Sequence, residues 1–205
     1  MALFSSDPKV QAVMAAYQAR ADAERGAFDD PNRHRDELLL PVGPATASFL
    51  GTLVRGAQAR TILEIGTSYG YSTVWLAEAA RATGGKVISL ELHARKVDYA
   101  KEQLAKAGLT DYVEFRIGDA LKSLEALPGP FEVVLLDLWK DLYVRCFDLF
   151  YPKLAPGGIV VADNMLFPEA SRPDANLYRA RARAAAGISS VLLPIGSGIE
   201  VSRFR

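Results

Sequence analysis

Cysteine is almost absent from this chain: Cys146 is the only one in 205 residues. A single thiol builds neither a disulfide framework nor a thiolate metal site, so the fold must close on its own core, and a reducing cytosol is the natural setting. Charge of one sign is also missing, because 24 basic residues stand against 24 acidic ones. A neutral chain without a run of like charge has no electrostatic footprint for nucleic acid, which makes a small molecule the expected partner. Nowhere do about 18 consecutive apolar residues occur, and no basic leader precedes an unbroken apolar segment. The expectation is a cytoplasmic protein with neither membrane span nor secretory signal. Internal repeats, low-complexity stretches and dividing linkers are absent too, so residues 1–205 are expected to form one domain. At this size roughly 70 to 75% of the unfolded surface can be buried without staples.

What is present centres on Thr61 to Ser72, which passes from a β-branched run through a glycine turn into a helix. Thr61-Ile62-Leu63-Glu64-Ile65 reads as a strand, Gly66 and Gly70 close it, and Val74, Leu76, Ala77 and Ala80 continue at helical spacing. Two glycines there permit positive φ or close approach to a ligand. The following helix offers free N–H groups and a favourable dipole end to a carboxylate or phosphate. The spacing is Gly-x-x-x-Gly, not the Gly-x-Gly-x-x-Gly of dinucleotide sites, which disfavours an NAD-dependent oxidoreductase.

Along the rest of the chain, Asp7-Pro8 predicts a helix start, with Val10, Val13, Met14 and Tyr17 on one face. A polar loop is expected over Gly26 to Arg35, with His34 solvated in it. A second helix is expected over Ala45 to Arg55, so N-terminal helices (about 8–56) precede the first strand. Strands are then expected at Val87 to Glu91, Tyr112 to Arg116, Phe131 to Leu136 and Ile159 to Ala162. Helices are expected over Ala94 to Ala107, Ala120 to Ala126, Asp141 to Leu154 and from Pro173 to Gly187. Alternation of this kind implies right-handed crossovers and a parallel sheet covered on both faces. Ser190 to Pro194 and Ile199 to Phe204, flanking Gly196-Ser197-Gly198, predict a closing antiparallel hairpin.

Acidic groups stand where the strands end. Glu91, about 20 residues past the glycine turn, is placed to accept hydrogen bonds from ribose hydroxyls of an adenosine cofactor. Asp119, in Ile117-Gly118-Asp119-Ala120, can cap the following helix or accept from an adenine amino group. Asp137 and the Asp163-Asn164 pair end the fourth and fifth strands, and ligands of open parallel sheets bind beyond such ends. Two carboxylates and a carboxamide, without Cys or His, suit a hard cation of the magnesium type. Singly, Asp137 also fits a helix cap and Asp163-Asn164 an Asx-turn.

Taken together these motifs resemble a known family. Glu64-Ile-Gly-Thr-Ser-Tyr-Gly-Tyr-Ser72 is similar to the first motif of S-adenosylmethionine-dependent methyltransferases. Asp137-Leu-Trp-Lys-Asp-Leu-Tyr143 resembles the Asp-x-Trp-Lys-Asp-x-Tyr segment of catechol O-methyltransferases. Asp163-Asn164 and the Leu193-Pro-Ile-Gly-Ser-Gly198 ending resemble the wider cation-dependent O-methyltransferases, which include caffeoyl-CoA O-methyltransferases. The match runs from about Leu38 to the C-terminus. The resemblance implies an α/β class I methyltransferase fold: a Rossmann-like seven-stranded sheet, parallel except for a C-terminal antiparallel hairpin strand, with helices on both faces. It implies that Asp137, Asp163 and Asn164 bind Mg²⁺ and that Lys140 is the general base. S-Adenosylmethionine would be held by Val42, Gly43, Glu64, Gly66, Tyr69, Gly70, Ser72, Glu91, Leu92, Gly118, Asp119, Ala120 and Asp137. Trp139, Lys140, Asn164 and Pro168 would meet an aromatic vicinal diol, with Met165 or Leu166 adding apolar wall.

Two departures limit the transfer. Catechol O-methyltransferase carries a further carboxylate near its later strands, and Ile188-Ser189-Ser190-Val191 has none, which leaves regiochemistry open. The N-terminal part, which in the family contributes to substrate choice and dimer contacts, maps onto no family motif, so a homodimer is an expectation of the resemblance alone. The alternative enzyme acts on caffeoyl-CoA-like or polyketide substrates, where Asp more often replaces Trp139.

Overall fold

Seven strands lie in one sheet in the order β3-β2-β1-β4-β5-β7-β6. The computed structural model describes residues 5–27 and 34–205; the 28–33 part of the expected polar loop lies outside the described residues. The strands are β1 (Thr61–Ile65), β2 (Lys86–Glu91), β3 (Val113–Ile117), β4 (Phe131–Leu136), β5 (Leu154–Ala162), β6 (Ile188–Leu193) and β7 (Ile199–Phe204). Neighbours among the first five pair in parallel, and β7 pairs antiparallel with both β5 and β6. The helices are α1 (Pro8–Glu24), α2 (Gly43–Gly56), α3 (Tyr71–Thr83), α4 (Ala94–Ala107), α5 (Ala120–Ala126), α6 (Tyr143–Phe150) and α7 (Arg172–Arg183). No described helix is long and apolar enough to cross a membrane.

Strand alternation divides the core. Ile62, Val133, Leu135 and Val161 face one layer, with Leu50 and Val54 of α2 and Leu76 of α3. Leu63, Ile65, Val134, Leu136 and Val160 face the other, with Leu124 of α5, Phe147 and Phe150 of α6 and Tyr178 of α7. Successive side chains of a strand point to opposite faces, so one run of β-branched and leucine residues serves both layers. Helix α3 is buried from Tyr71 through Ala80, because α1, α2 and α4 cover its outer side. Asp7 caps α1 by accepting from Lys9 N at 2.9 Å, as its Asp-Pro start predicts.

Two helices and the strands that follow them depart from expectation. The helix expected over Asp141 to Leu154 is a 3-10 turn over Lys140–Leu142, then α6, then a second 3-10 turn over Tyr151–Lys153. Pro152 has no N–H to continue the ladder, and Leu154 already pairs with Phe131 as the start of β5. Helix α7 stops at Arg183, four residues short of Gly187, and β6 starts at Ile188.

Glycine is required at Gly66, where β1 turns toward α3. Its φ is +106°, and a Cβ there would lie 1.9 Å from the carbonyl oxygen of Asp137. This approach brings the ends of β1 and β4 against each other. Gly66→Ala is expected to destabilise the fold by about 3 kcal/mol or more, from backbone strain and overlap together. Urea denaturation checks this; a wild-type midpoint would show that the two strand ends are not in this contact.

Candidate active site

The turn after β1 is built around a buried carboxylate. Glu64 is inaccessible to solvent. Its Oε1 accepts from Ser72 Oγ at 2.6 Å, and its Oε2 accepts from Thr73 Oγ1 at 2.7 Å and Ser89 Oγ at 2.5 Å. Burial pushes its pKa up to about 7 despite these three hydroxyls. Glu64 is therefore committed to tying β1, β2 and the first turn of α3 together, and what it offers a ligand passes through the loop it fixes. Gly70 ends the loop with φ +91°, and a Cβ there would meet Ala100 Cβ at 2.7 Å and Tyr17 Oη at 3.1 Å. Its glycine is demanded by packing against α4 and α1. Tyr69 points the same way: its carbonyl accepts from Tyr17 Oη at 2.6 Å, and the Arg20 guanidinium sits 4.0 Å over its ring. The N-terminus of α3 has no side-chain cap, so its first N–H groups remain available to an anion.

Beside this turn, Glu91 ends β2 as expected. Its Oε2 accepts from Ser68 N at 2.8 Å and its Oε1 from His93 N at 3.0 Å. Each oxygen keeps a lone pair for a further donor. Ser68, with φ +47°, also donates from Oγ to Leu39 O at 3.1 Å, joining the loop to the segment before α2. That segment ends in Val42, buried, and Gly43, at φ +81° with open space where a Cβ would stand. Gly118 has φ +133° and the same open space. Asp119 caps α5 through Oδ1, accepting from Lys122 N at 3.0 Å ahead of Ala120. Leu92, 61% exposed, and Ile117, 50% exposed, stand free at the ends of β2 and β3. Ser68, Thr73 and Ser89 went unnoticed in the sequence, since only the folded loop brings their polar groups to the two glutamates.

The second half of the crevice lies at the ends of β4 and β5. Leu136 pairs with Ala162, so the next residues, Asp137 and Asp163, are neighbours across adjacent strands, which run about 4.8 Å apart. Asp163 is 1% exposed, and neither carboxylate oxygen has a hydrogen-bond partner. Burial first, and then the charge of Asp137, push its pKa up to about 8, with the Asn164 backbone and Lys140 opposing. Burial likewise raises Asp137, with Lys140 opposing. Lys140 lies 3.5 Å from Asp137 Oδ1, and burial lowers its pKa against the pull of both acids. Asn164 adopts φ +57°, a left-handed conformation that Asn tolerates better than most residues. Trp139 is 51% exposed, and Pro168 is exposed beyond β5.

An unpartnered buried carboxylate is costly, and natural structures seldom leave one unexplained. Among the described residues no three His, Cys, Asp or Glu side chains form a metal set. The donors available are two carboxylates and one amide oxygen, which fit a hard cation that keeps water or substrate in its other positions.

An open sheet with a glycine turn after β1, an acid at the end of β2 and facing acids beyond β4 and β5 defines a class I methyltransferase architecture. A model of the O-methyltransferase family matches residues 32–203, and the chain belongs to that family. It is 36% identical over 131 residues to a catechol O-methyltransferase of Niastella koreensis, covering 62% of this chain and 59% of that protein. A catechol O-methyltransferase of Mycobacterium tuberculosis is 33% identical over 165 residues, covering 80% of this chain and 68% of that one. The chain therefore spans about three fifths to two thirds of the length of these relatives. The crystal structure of a Bacillus cereus O-methyltransferase in complex with SAH superposes with a TM-score of 0.77 at 28% identity, covering 100% of this chain and 94% of that one.

The Asp163 geometry sets a pH dependence. Its folded pKa of about 8 lies above the usual value of 3.8, so the folded protein retains a proton that the unfolded chain has released. Stability from this group is full below the unfolded value and falls as pH rises toward 8. In chelator, thermal stability should decline between about pH 5 and 8, and Asp163→Asn should raise Tm at pH 8 by several degrees. Melts at the two pH values check this; an Asp163→Asn protein that melts lower than wild type at pH 8 would refute the buried unpaired carboxylate.

Proposed function

We propose that the protein transfers a methyl group from S-adenosylmethionine to one hydroxyl of a catechol-type aromatic, using Mg²⁺ or another hard divalent cation held by Asp137, Asp163 and Asn164. The observation that carries this reading is the buried, unpartnered Asp163 carboxylate, set beside Asp137 with Lys140 in contact. When bound, S-adenosylmethionine would supply the methyl group, and a cation held by these residues would favour ionisation of a substrate hydroxyl.

The protein's share is binding, orientation and proton removal. The free N–H groups at the start of α3, presented by the Gly66, Tyr69, Gly70 and Ser72 turn, take the cofactor carboxylate. Glu91 accepts from the ribose hydroxyls. Gly118, Asp119 and Ala120, with Leu92, take the adenine edge and face, and Val42-Gly43 covers the cofactor. Trp139 and Pro168 flank the substrate ring. With Asp137 and Asp163 engaged as ligands, burial dominates the Lys140 environment, so the amine can accept the hydroxyl proton. Holding nucleophile and methyl donor in one geometry can supply on the order of 7 to 11 kcal/mol. In this reading the chain works as one cytoplasmic domain able to pair as a homodimer, and light scattering reports the pairing. Catechols with labelled methyl donor form the first activity screen; turnover of caffeoyl-CoA or polyketide phenols alone would move the substrate assignment.

Two substitutions test the division of labour. Asp163→Ala should lose cation affinity and turnover together, with excess Mg²⁺ recovering part of the rate by mass action. Lys140→Ala should keep cation and cofactor binding and lose roughly 10²- to 10⁴-fold in kcat. Calorimetry and steady-state kinetics distinguish the two patterns; full turnover in chelator removes the cation, and wild-type kcat in Lys140→Ala removes the base. Glu91→Ala should weaken the cofactor by roughly 1.5 to 3 kcal/mol for each lost charge-assisted bond, with cation binding nearly unchanged.

A further inference from the structure

Tyr143 closes the Asp-Leu-Trp-Lys-Asp-Leu-Tyr segment and has no role in the reading above. Its side chain is inaccessible to solvent, and its ring meets Tyr178 edge-on with centroids 5.4 Å apart. The hydroxyl donates to Leu136 O at 2.9 Å, at the end of β4. With its single hydrogen committed to the backbone, its lone pairs are left to accept, and Lys140 Nζ stands 2.5 Å away.

Lys140 Nζ has two other acceptors, Leu138 O at 3.0 Å and Asp137 Oδ1 at 3.5 Å. An ammonium therefore finds one acceptor for each proton. The two shorter contacts, to the Tyr143 hydroxyl and the Leu138 carbonyl, fix the position of Nζ. Nitrogen is tetrahedral, so the remaining direction, along the longest contact, faces Asp137 and the crevice it shares with Asp163. A loose lysine side chain has several rotamers, and misplacing a catalytic group by about 1 Å can cost on the order of a hundredfold in rate.

We infer that Tyr143 is a positioning residue whose hydroxyl, together with the Leu138 carbonyl, fixes Lys140 Nζ beside Asp137, facing the substrate hydroxyl of the proposed reaction. This rests on Lys140 acting as the base of the proposed methyl transfer. A tyrosine that only fills the core would contribute its ring and its bond to Leu136 O, and its removal would be felt equally with or without Lys140.

Tyr143→Phe keeps the ring and removes the contact. In the intact protein with S-adenosylmethionine, Mg²⁺ and a catechol, it should lower kcat about tenfold, with KM for the catechol and cation affinity within twofold of wild type. In a Lys140→Ala background the same substitution should cost less than twofold, because the group it positions is gone. Protein labelled with ¹⁵N-lysine gives a second readout without cofactor: the wild-type Lys140 Nζ resonance should be protected from solvent exchange, and Tyr143→Phe should abolish that protection while the other lysine signals report an intact fold. A kcat within twofold of wild type in Tyr143→Phe overturns the inference, as does an equal loss in both backgrounds or an unprotected wild-type Nζ. If Lys140→Ala loses activity while Tyr143→Phe does not, the inference alone fails. If Lys140→Ala keeps wild-type kcat, the base reading fails and the inference with it.

Discussion

The site depends on one backbone contact, the approach of Gly66 to the Asp137 carbonyl, which a Cβ would occupy at 1.9 Å. It makes the end of β1, with its glycine turn, and the end of β4, with Asp137 and Lys140, into a single crevice. In the proposed reading a methyl donor on the turn and an acceptor over the acids would thereby be neighbours, which is the geometric requirement of a group transfer between two bound molecules. Glu64 reinforces the same arrangement from beneath. Its three hydroxyl partners come from α3 and β2, so the loop is fixed from three directions before any ligand arrives.

The opposite end of the sheet is held by a different device. Glu200 of β7 is buried, and it accepts from Arg183 Nε at 2.7 Å, Arg179 Nε at 3.1 Å and Ser190 Oγ at 2.7 Å. These bonds fasten α7 and β6 to the antiparallel strand, and a buried ion pair so well satisfied would be costly to break on one side. The hairpin turn that follows from this placement carries Gly198, whose carbonyl accepts from Met165 N at 2.9 Å. Thus the C-terminal ending supports the loop that leaves Asp163 and Asn164. By contrast with Glu200, the buried Asp163 carboxylate has no side-chain hydrogen-bond partner, and that difference is what the proposed ligand role rests on.

Much of this was legible in the sequence because it is local. Strand and helix alternation follows from hydrophobic periodicity, the caps from Asp-Pro and Gly, and the hairpin from Gly196-Ser197-Gly198. Asp137 and Asp163 stand directly after apolar strands, and in a parallel sheet all strand ends of one sense share an edge, so the adjacency of these two acids was predictable from topology alone. The reading failed where a local pattern met a longer-range demand. The helix foreseen over Asp141 to Leu154 is cut short because β5 begins its pairing at Leu154.

The amino-acid sequence by itself determined the architecture, the family and the set of groups available for chemistry, since those depend on residue types and their spacing. Only the tertiary structure decided how those groups are used. Gly70 serves helix packing, Tyr69 turns toward α1, Glu64 is consumed by Ser72, Thr73 and Ser89, and Tyr143 reaches Lys140. The physical reason is that burial and hydrogen-bond partners come from residues distant in the chain. A polar side chain's pKa, freedom and availability to a ligand follow from those partners, and spacing along one strand or helix does not encode them.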